Sequence, residues 1–569
     1  MKATFEKKAK WIGLPLLAAF LFVAYSYLPL TAPARDNSPD ESANRFFSQE
    51  YARTGRLWAV ESLNYFAPGL IHPRSTRVDD LFILPGGFLG QPVIYGGLGR
   101  MFGVGLQPFL TALFAVFGLA AFGLAVGRQF GARYGWLAGL LLAVQPNWWY
   151  QASRPFMPNG LLVSLLLLSA GFLWGRPFQW LARRRPSRRS LAYLDSVVAG
   201  LLLGLALAVR PPAVYWLAIF GLIVWGMNGW RRRWIRAVVV AGSALFVLLP
   251  FLVMNQAVYG SWLASGYGAD PLNLGAPGLP QGFGAKLIGP LGPYLFPLGF
   301  APRTALKHFW QFGLNLYGWW WWLVLAALLW MAVVAWRRRR PRPWYRFWRL
   351  RKAWSRPAVS LAVAGLVVTG WLILFYGSWT VYDNPDPKAV TIGASYLRYW
   401  LPISVLGVLP LAWALNRLGD LAERRWRVKR RLVIGLALIL LAAAGAGSAF
   451  LAPQEGLKTV RLNLYRYDAL SRRINSLTGP NDLIVVDRDD KFFFPGRAVM
   501  QPLRSEANYQ ALPRLVRRLG QVYYLGITFP AQDFNWLNAV KLSPLGLRIE
   551  PMAEFGEETL YRFVSNQTQ

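Results

Sequence analysis

Eleven stretches of about 20 mostly apolar residues recur along this chain, and they constrain its fold more than any other feature. They lie at approximately 11–30, 107–127, 135–151, 157–175, 191–209, 212–229, 237–255, 315–336, 358–377, 399–416 and 432–452. A helix needs roughly 20 such residues to cross about 30 Å of hydrocarbon, because every backbone N–H and C=O must find its partner inside the segment. The chain has 569 residues, 55% of them hydrophobic and gathered in these blocks, so its expected class is a polytopic α-helical membrane protein. The first block ends at Ala32-Pro33-Ala34, which resembles a signal-peptide cleavage site. A block of this length nevertheless exceeds the usual ~7–15-residue signal core, which favours a first membrane helix.

Charge then orients the spans. Lys plus Arg number 62 against 26 Asp plus Glu, a net charge of +36 that brings nucleic-acid binding to mind. The distribution excludes it, because the basic runs sit in alternate short loops between apolar blocks, where positive charge marks the cytoplasmic side. "MKATFEKKAK", "GRQFGARYG", "RPFQWLARRRPSRRS", "RRRWIR", "RRRRPRPWYRFWRLRKAWSR" and "RLGDLAERRWRVKRR" form one set. Loop 31–106, the turns near Arg154 and Arg210, loops 256–314 and 378–397, and the tail from 453 form the opposite set. The amino terminus is therefore expected in the cytoplasm, with loop 31–106 and the tail outside. The arginine-rich run at 337–352 suits contact with anionic membrane lipids. There is no Cys, which excludes disulfides and thiolate metal sites, and two His, His72 and His308, are too few for a histidine-built one.

Two segments outside the apolar blocks have a pattern of their own. In "SPDESANRFFSQEYARTGRLW", Ser38-Pro39 is a helix start, Asp40 and Glu41 fall in the first turn, Ala43, Phe46, Phe47 and Tyr51 share one face, and Gly55 ends it. This predicts a short amphipathic helix lying on the outer membrane face. By pattern alone the two acids need only favour the helix amino terminus, by ~0.3–1 kcal/mol each. From about 454, helical "YRYDALSRRINSL" and "NYQALPRLVRRLG" alternate with strand-like "DLIVVD", "QVYYLGIT" and "ETLYRFV", which predicts a small α/β domain. It has no glycine-rich phosphate loop and no nucleophile elbow, so a lid or docking role suits it better than a second active site. The expected division is a membrane domain over 1–453, including loop 31–106, and an extracytoplasmic domain over 454–569.

"DESANRFFSQEYARTGRLW", placed just after the first membrane block, resembles the first external loop of type C glycosyltransferases that use polyprenyl-phosphate sugars. The nearest resemblance is to protein O-mannosyltransferases and bacterial lipid A aminoarabinose transferases. "YQASRPFMPNGLLVSLLLL", "GLALAVRPPAVYWLAI" and "SYLRYWLPI" resemble further stretches of that family, in the same order, so the likeness covers about residues 1–450. The chain departs from many relatives in lacking Lys-Pro-Pro-Leu after the first loop, where it has "HPRSTRVDDLFILPGGFLGQP".

The resemblance implies a type C fold of about eleven helices and inverting transfer of a sugar from a polyprenyl-phosphate donor to an envelope glycan, lipid or protein. An acceptor hydroxyl is a weak nucleophile at pH 7, and a carboxylate must take its proton as the sugar–oxygen bond forms. The resemblance assigns that base to Asp40. Adjacent helical side chains diverge by about 100°, so Glu41 is expected to orient the site or contact a divalent metal rather than act as a second base. A departing lipid phosphate needs positive charge, and arginine offers a planar fork suited to its oxygens. Arg74, Arg77, Arg154, Arg210 and Arg398, with Tyr396 beside the last, are the substrate-binding candidates, since arginines on the outer side run against the orientation rule. The plainer reading of any one of them is snorkelling to headgroups. Asp79 with Asp80, Asp383 with Asp386, and His72 read first as solvated loop residues. A lipid-linked sugar flippase and a non-catalytic membrane scaffold are the competing classes. The flippase predicts inverted repeats and charges within the spans.

Overall fold

The computed structural model describes residues 2–178, 193–227, 234–267, 296, 298–337, 357–381, 383, 384, 386, 388–500 and 502–566. The basic runs within 179–192, 228–233 and 338–356 lie outside the described residues. The chain divides into two compact units: Met1–Leu28, Phe109–Val253 and Asp270–Thr459 form the first, and Pro29–Pro108, Met254–Ala269 and Val460–Gln569 the second.

Seven described helices are long and apolar enough to cross a membrane: Val104–Phe130, Pro158–Gly175, Trp234–Tyr259, Gly318–Arg337, Val359–Gly377, Leu401–Arg425 and Arg430–Leu451. Gly13–Tyr25, Leu194–Val209 and Ala213–Met227 are apolar but shorter. The span expected over 135–151 is broken into Ala132–Ala143 and Pro146–Ala152. Pro146 lacks the N–H that would continue the upstream helix, so carbonyls are released and must be satisfied inside the protein. The Tyr25 hydroxyl donates to the Ala143 carbonyl at 2.8 Å, and the Gln145 side chain accepts from the Trp148 N–H at 2.6 Å. Elsewhere small residues allow close packing. A Cβ on Gly200 or Gly204, one turn apart, would fall 2.4–2.5 Å from the Val240 and Ala244 carbonyl oxygens of the neighbouring helix.

The second unit is built on a five-stranded sheet of β4 (Leu483–Val486), β5 (Ala498–Met500), β6 (Val522–Ile527), β7 (Leu547–Phe555) and β8 (Glu558–Ser565), ordered β5-β4-β6-β8-β7. β4 is parallel to β5 and β6, while β8 runs antiparallel to both β6 and β7. All four residues of β4 are buried, as an unbroken Leu-Ile-Val-Val run in a parallel strand requires. Alternation sends Leu483 and Val485 to one face with Leu512 and Leu515, and Ile484 and Val486 to the other with Ile474 and Phe492. Strands β5 and β7 carried no signal strong enough to be expected from sequence.

The loop after the first span enters this same unit. Ala67 and Ile71 are buried in the core formed with Leu483 and Leu512, and Ile71 bridges Met500. Residues 29–108 therefore cluster with the α/β tail, whereas the expected division grouped them with the membrane domain. The loop adds a three-stranded sheet of β1 (Ala59–Val60), β2 (Thr76–Asp79) and β3 (Phe82–Pro85), ordered β1-β3-β2. Where β3 ends, a Cβ on Gly86 would lie 2.5 Å from the backbone of Ser75, so only glycine fits there.

Candidate functional site

In the second unit the acidic pair opens a helix over Pro39–Thr54, as its start and stop signals predict. Ser38 caps it and accepts from the Glu41 N–H, while a Glu41 carboxylate oxygen accepts from the N–H groups of Asn37 and Ser38, both at 3.0 Å. Gly55 closes it at φ +77°. The apolar face does not lie on a membrane surface: Phe47 packs with Leu57, Ile83 and Leu89, with Phe46 and Tyr51 against them. Protein side chains, supplied by β3 and the segment after it, cover the face that the amphipathic pattern offered to lipid.

The two acids have different surroundings. Glu41 is buried and committed to the helix cap. Asp40 is half-buried, and its Oδ1 accepts the Ser75 hydroxyl at 2.7 Å. Ser75 is held at φ +60°, a conformation uncommon for residues with a Cβ, which aims its hydroxyl at Asp40. Asp36, also buried, receives both the Nε and an Nη of Arg45.

Arg74 does not stand open to a ligand. Its backbone N–H donates to Asp490 at 2.7 Å, its Nε to the other Asp490 oxygen at 2.8 Å, and an Nη to the Arg488 carbonyl. Arg77, Asp79 and Asp80 are exposed on the β2–β3 hairpin. His72 is half-buried, with Nδ1 near the Pro73 carbonyl and the Thr76 hydroxyl; burial lowers its pKa and favours the neutral ring. Beyond β4, Asp489 and Glu558 share a hydrogen bond and retain a proton between them. Burial, then that bond and the Asp489 charge, push Glu558 up to about 8. Lys491 is pushed down to about 8 by burial, with the Arg74 charge adding to it.

The first unit gathers the other arginines. Arg210 and Arg398 both lie over the Tyr399 ring, at 4.2 and 5.3 Å from its centroid, and Arg210 also approaches Tyr376 at 5.9 Å. Arg210 donates to Asn159 at 3.2 Å, and Arg398 to Ser395 at 2.6 Å, with Met157 beside it. "MPN", "VRPP" and "YLRYW" therefore converge on one cluster. Arg154 is buried at 2% exposure, with its guanidinium over Tyr150 and an Nη donating to the Tyr150 hydroxyl. Tyr396 is core rather than lining: its hydroxyl donates to the Trp379 carbonyl, and its ring stacks on His308 at 4.7 Å. Asp383 accepts from the Ser395 N–H and hydroxyl, and Asp386 from the Lys388 N–H, so the first braces this cluster and the second shapes a turn.

Asn159 Nδ2, Gln151 Oε1 and Ser153 Oγ are among the buried polar atoms of the first unit that have no hydrogen-bond partner among the described residues. Burying polar groups without partners costs free energy. Sequence reasoning missed Glu455, which bonds Thr391 and whose oxygen, with the Tyr150 hydroxyl, crowds Gly393. No local motif surrounds it. Ser75, Asp490 and Lys491 were missed for the same reason. Among the described residues no group of three or more Asp, Glu or His is arranged to hold a metal ion. Asp40 holds the Ser75 hydroxyl and Glu41 holds the helix cap.

The architecture, a polytopic helical part with a small α/β domain and an acid-capped helix in its first long loop, is a fold shared with solved proteins over most of the chain. The crystal structure of ArnT from Cupriavidus metallidurans bound to undecaprenyl phosphate matches with a TM-score of 0.52 and 14% identity, over 97% of this chain and 98% of that one. Its apo form matches at 0.50 and 13% identity, over 98% of each chain. The Archaeoglobus fulgidus oligosaccharyltransferase in complex with Zn and sulfate matches at 0.51 and 15%, over 90% of this chain and 67% of that one. No protein-family model and no curated protein matches by sequence.

Proposed function

We propose that the protein is a membrane glycosyltransferase that moves a sugar, with inversion, from a polyprenyl-phosphate donor to a hydroxyl of an envelope glycan, lipid or protein. The observation that carries this reading is the half-buried Asp40 carboxylate, with the Ser75 hydroxyl on one oxygen, in a fold shared with a structure bound to undecaprenyl phosphate. Asp40 takes the proton of the acceptor hydroxyl. The acceptor oxygen bonds to the anomeric carbon, the bond from that carbon to the phosphate oxygen breaks, and the lipid phosphate leaves with the electron pair. Arg210 and Arg398, half-buried and paired over Tyr399, suit binding of a phosphate, since each offers a permanently charged planar fork. Arg154 supplies a further positive charge.

Sidedness follows from the loop charges: amino terminus in the cytoplasm, Asp40 and the α/β domain outside. Residues 29–108, 254–269 and 460–569 fall in one compact unit, and the charge rule assigns all three to the same face. The test is transfer by the purified protein in lipid vesicles, with a panel of radiolabelled polyprenyl-phosphate sugars, a membrane extract as acceptor, and Asp40→Asn alongside. Transfer that disappears in the folded variant supports the reading. Equal transfer in both removes Asp40 as the base, and bilayer crossing of the lipid-linked sugar without transfer favours a flippase.

A further inference from the structure

The segment after β4, "DRDDKFFF", carries neither a phosphate loop nor a nucleophile, yet it bonds the chain on both sides of Asp40. Behind Asp40, the Asp490 side chain, 4% exposed, receives the backbone N–H and the guanidinium of Arg74. Arg74 is joined directly to Ser75, whose hydroxyl donates to Asp40, so holding the peptide at 74 fixes where that hydroxyl points. In front of Asp40, Lys491 Nζ donates to the Asn37 carbonyl at 2.8 Å, one residue before the cap of the acidic helix. Lys491 is itself held between the rings of Tyr467 and Phe492, at 4.9 and 5.2 Å. Arg35 adds bonds to the Phe492 carbonyl at 2.9 Å and to Asp468 at 3.1 Å, and Phe46 meets Phe494 edge to face at 4.6 Å.

A domain whose only task was to fold beside the loop would need apolar burial, which Ala67 and Ile71 already provide. The two charged residues instead bond the backbone at Arg74 and at Asn37, and Asp490 holds the Arg74 guanidinium as well. We infer that Asp490 and Lys491 are positioning residues for Asp40: Asp490 acts through Arg74 and Ser75, Lys491 through Asn37, and the α/β tail is thereby a working part of the catalytic centre. This rests on the reading of Asp40 as the base. A general base displaced by about 1 Å loses on the order of 10²-fold in turnover while ground-state binding is retained.

The test uses the full chain in lipid nanodiscs, with Asp490→Asn, which keeps an acceptor for the Arg74 N–H but removes the charge, and Lys491→Met, which keeps the stem. The first readout is labelling of Asp40 by a water-soluble carbodiimide with glycine ethyl ester, followed against pH by mass spectrometry. It needs no substrate. Both variants are expected to change the Asp40 labelling rate several-fold and to displace its pH midpoint, with the fold retained and the melting temperature lowered by the lost bonds. With the donor selected by the vesicle panel, turnover is expected to fall by about 10² while the donor KM is preserved. Asp490→Glu is expected to recover part of it. Wild-type labelling and pH midpoint in both folded variants would overturn the inference. If Asp40→Asn keeps full turnover while the labelling still responds, the base assignment fails and the positioning of Asp40 stands.

Discussion

Glu41 is adjacent to the proposed base and equally acidic, and replacing it separates a structural carboxylate from a chemical one. Its side chain is 2% exposed at the residue level, and one of its oxygens holds the N–H groups of Asn37 and Ser38. Glu41→Gln retains an amide oxygen in reach of both but removes the charge. That costs the charge-assisted share of the bonds and the favourable interaction with the helix amino terminus, together about 1 kcal/mol. Glu41→Ala removes the acceptor of both N–H groups and half of the capping box, which costs about 2–4 kcal/mol in local stability. Asn37 and Ser38 are half-buried, so water recovers part of that and the lower end is expected. Amide hydrogen exchange of residues 37–44 should therefore accelerate modestly in Glu41→Gln and by about 30-fold or more in Glu41→Ala, since 1.4 kcal/mol is a factor of ten. Transfer by Glu41→Gln should stay within about tenfold of wild type, against the loss of about 10²–10⁴ that removing a general base brings. A folded Glu41→Gln protein as inactive as Asp40→Asn would refute the reasoning and place Glu41 on the reacting atoms.

Two further outcomes follow from the geometry. Arg210→Lys keeps a positive charge but loses the planar contact with Tyr399 and the fork directed at Asn159, so donor KM should rise by about tenfold with a smaller change in stability, as measured by titrating the lipid-linked sugar. The Asp489–Glu558 pair gives a pH signature. Glu558 is raised from 4.5 to about 8, so the folded protein holds an extra proton in that window; the pair stabilises the fold at acid pH and this contribution is lost as pH rises through about 8. The melting temperature of wild type, measured relative to Glu558→Gln, should therefore fall from pH 5 to pH 8, and a difference that stays flat or grows would contradict the shared proton.

The amino-acid sequence alone determined the features that arise from neighbours in the chain. Apolar blocks place the spans because a helix must satisfy its own backbone in hydrocarbon. Ser38, Glu41 and Gly55 delimit the acidic helix because capping is a matter of three or four residues, and the Leu-Ile-Val-Val run placed β4. The arginines of "VRPP" and "YLRYW" stood out because positive charge on the outer side runs against the orientation rule.

What only the tertiary structure decided are the partnerships between distant parts of the chain. Asp490 meets Arg74 across 416 positions, and Lys491 meets Asn37 across 454. No periodicity encodes such a pair, because each residue looks like ordinary surface charge in its own segment. Arg74 read as a phosphate ligand for that reason, until folding gave it a buried carboxylate. The break at Pro146 likewise became tolerable only through the Tyr25 hydroxyl, from a helix more than 100 positions away. Local chemistry set which segments could be helix or strand, and packing set which charges were left for the sugar-phosphate chemistry we propose.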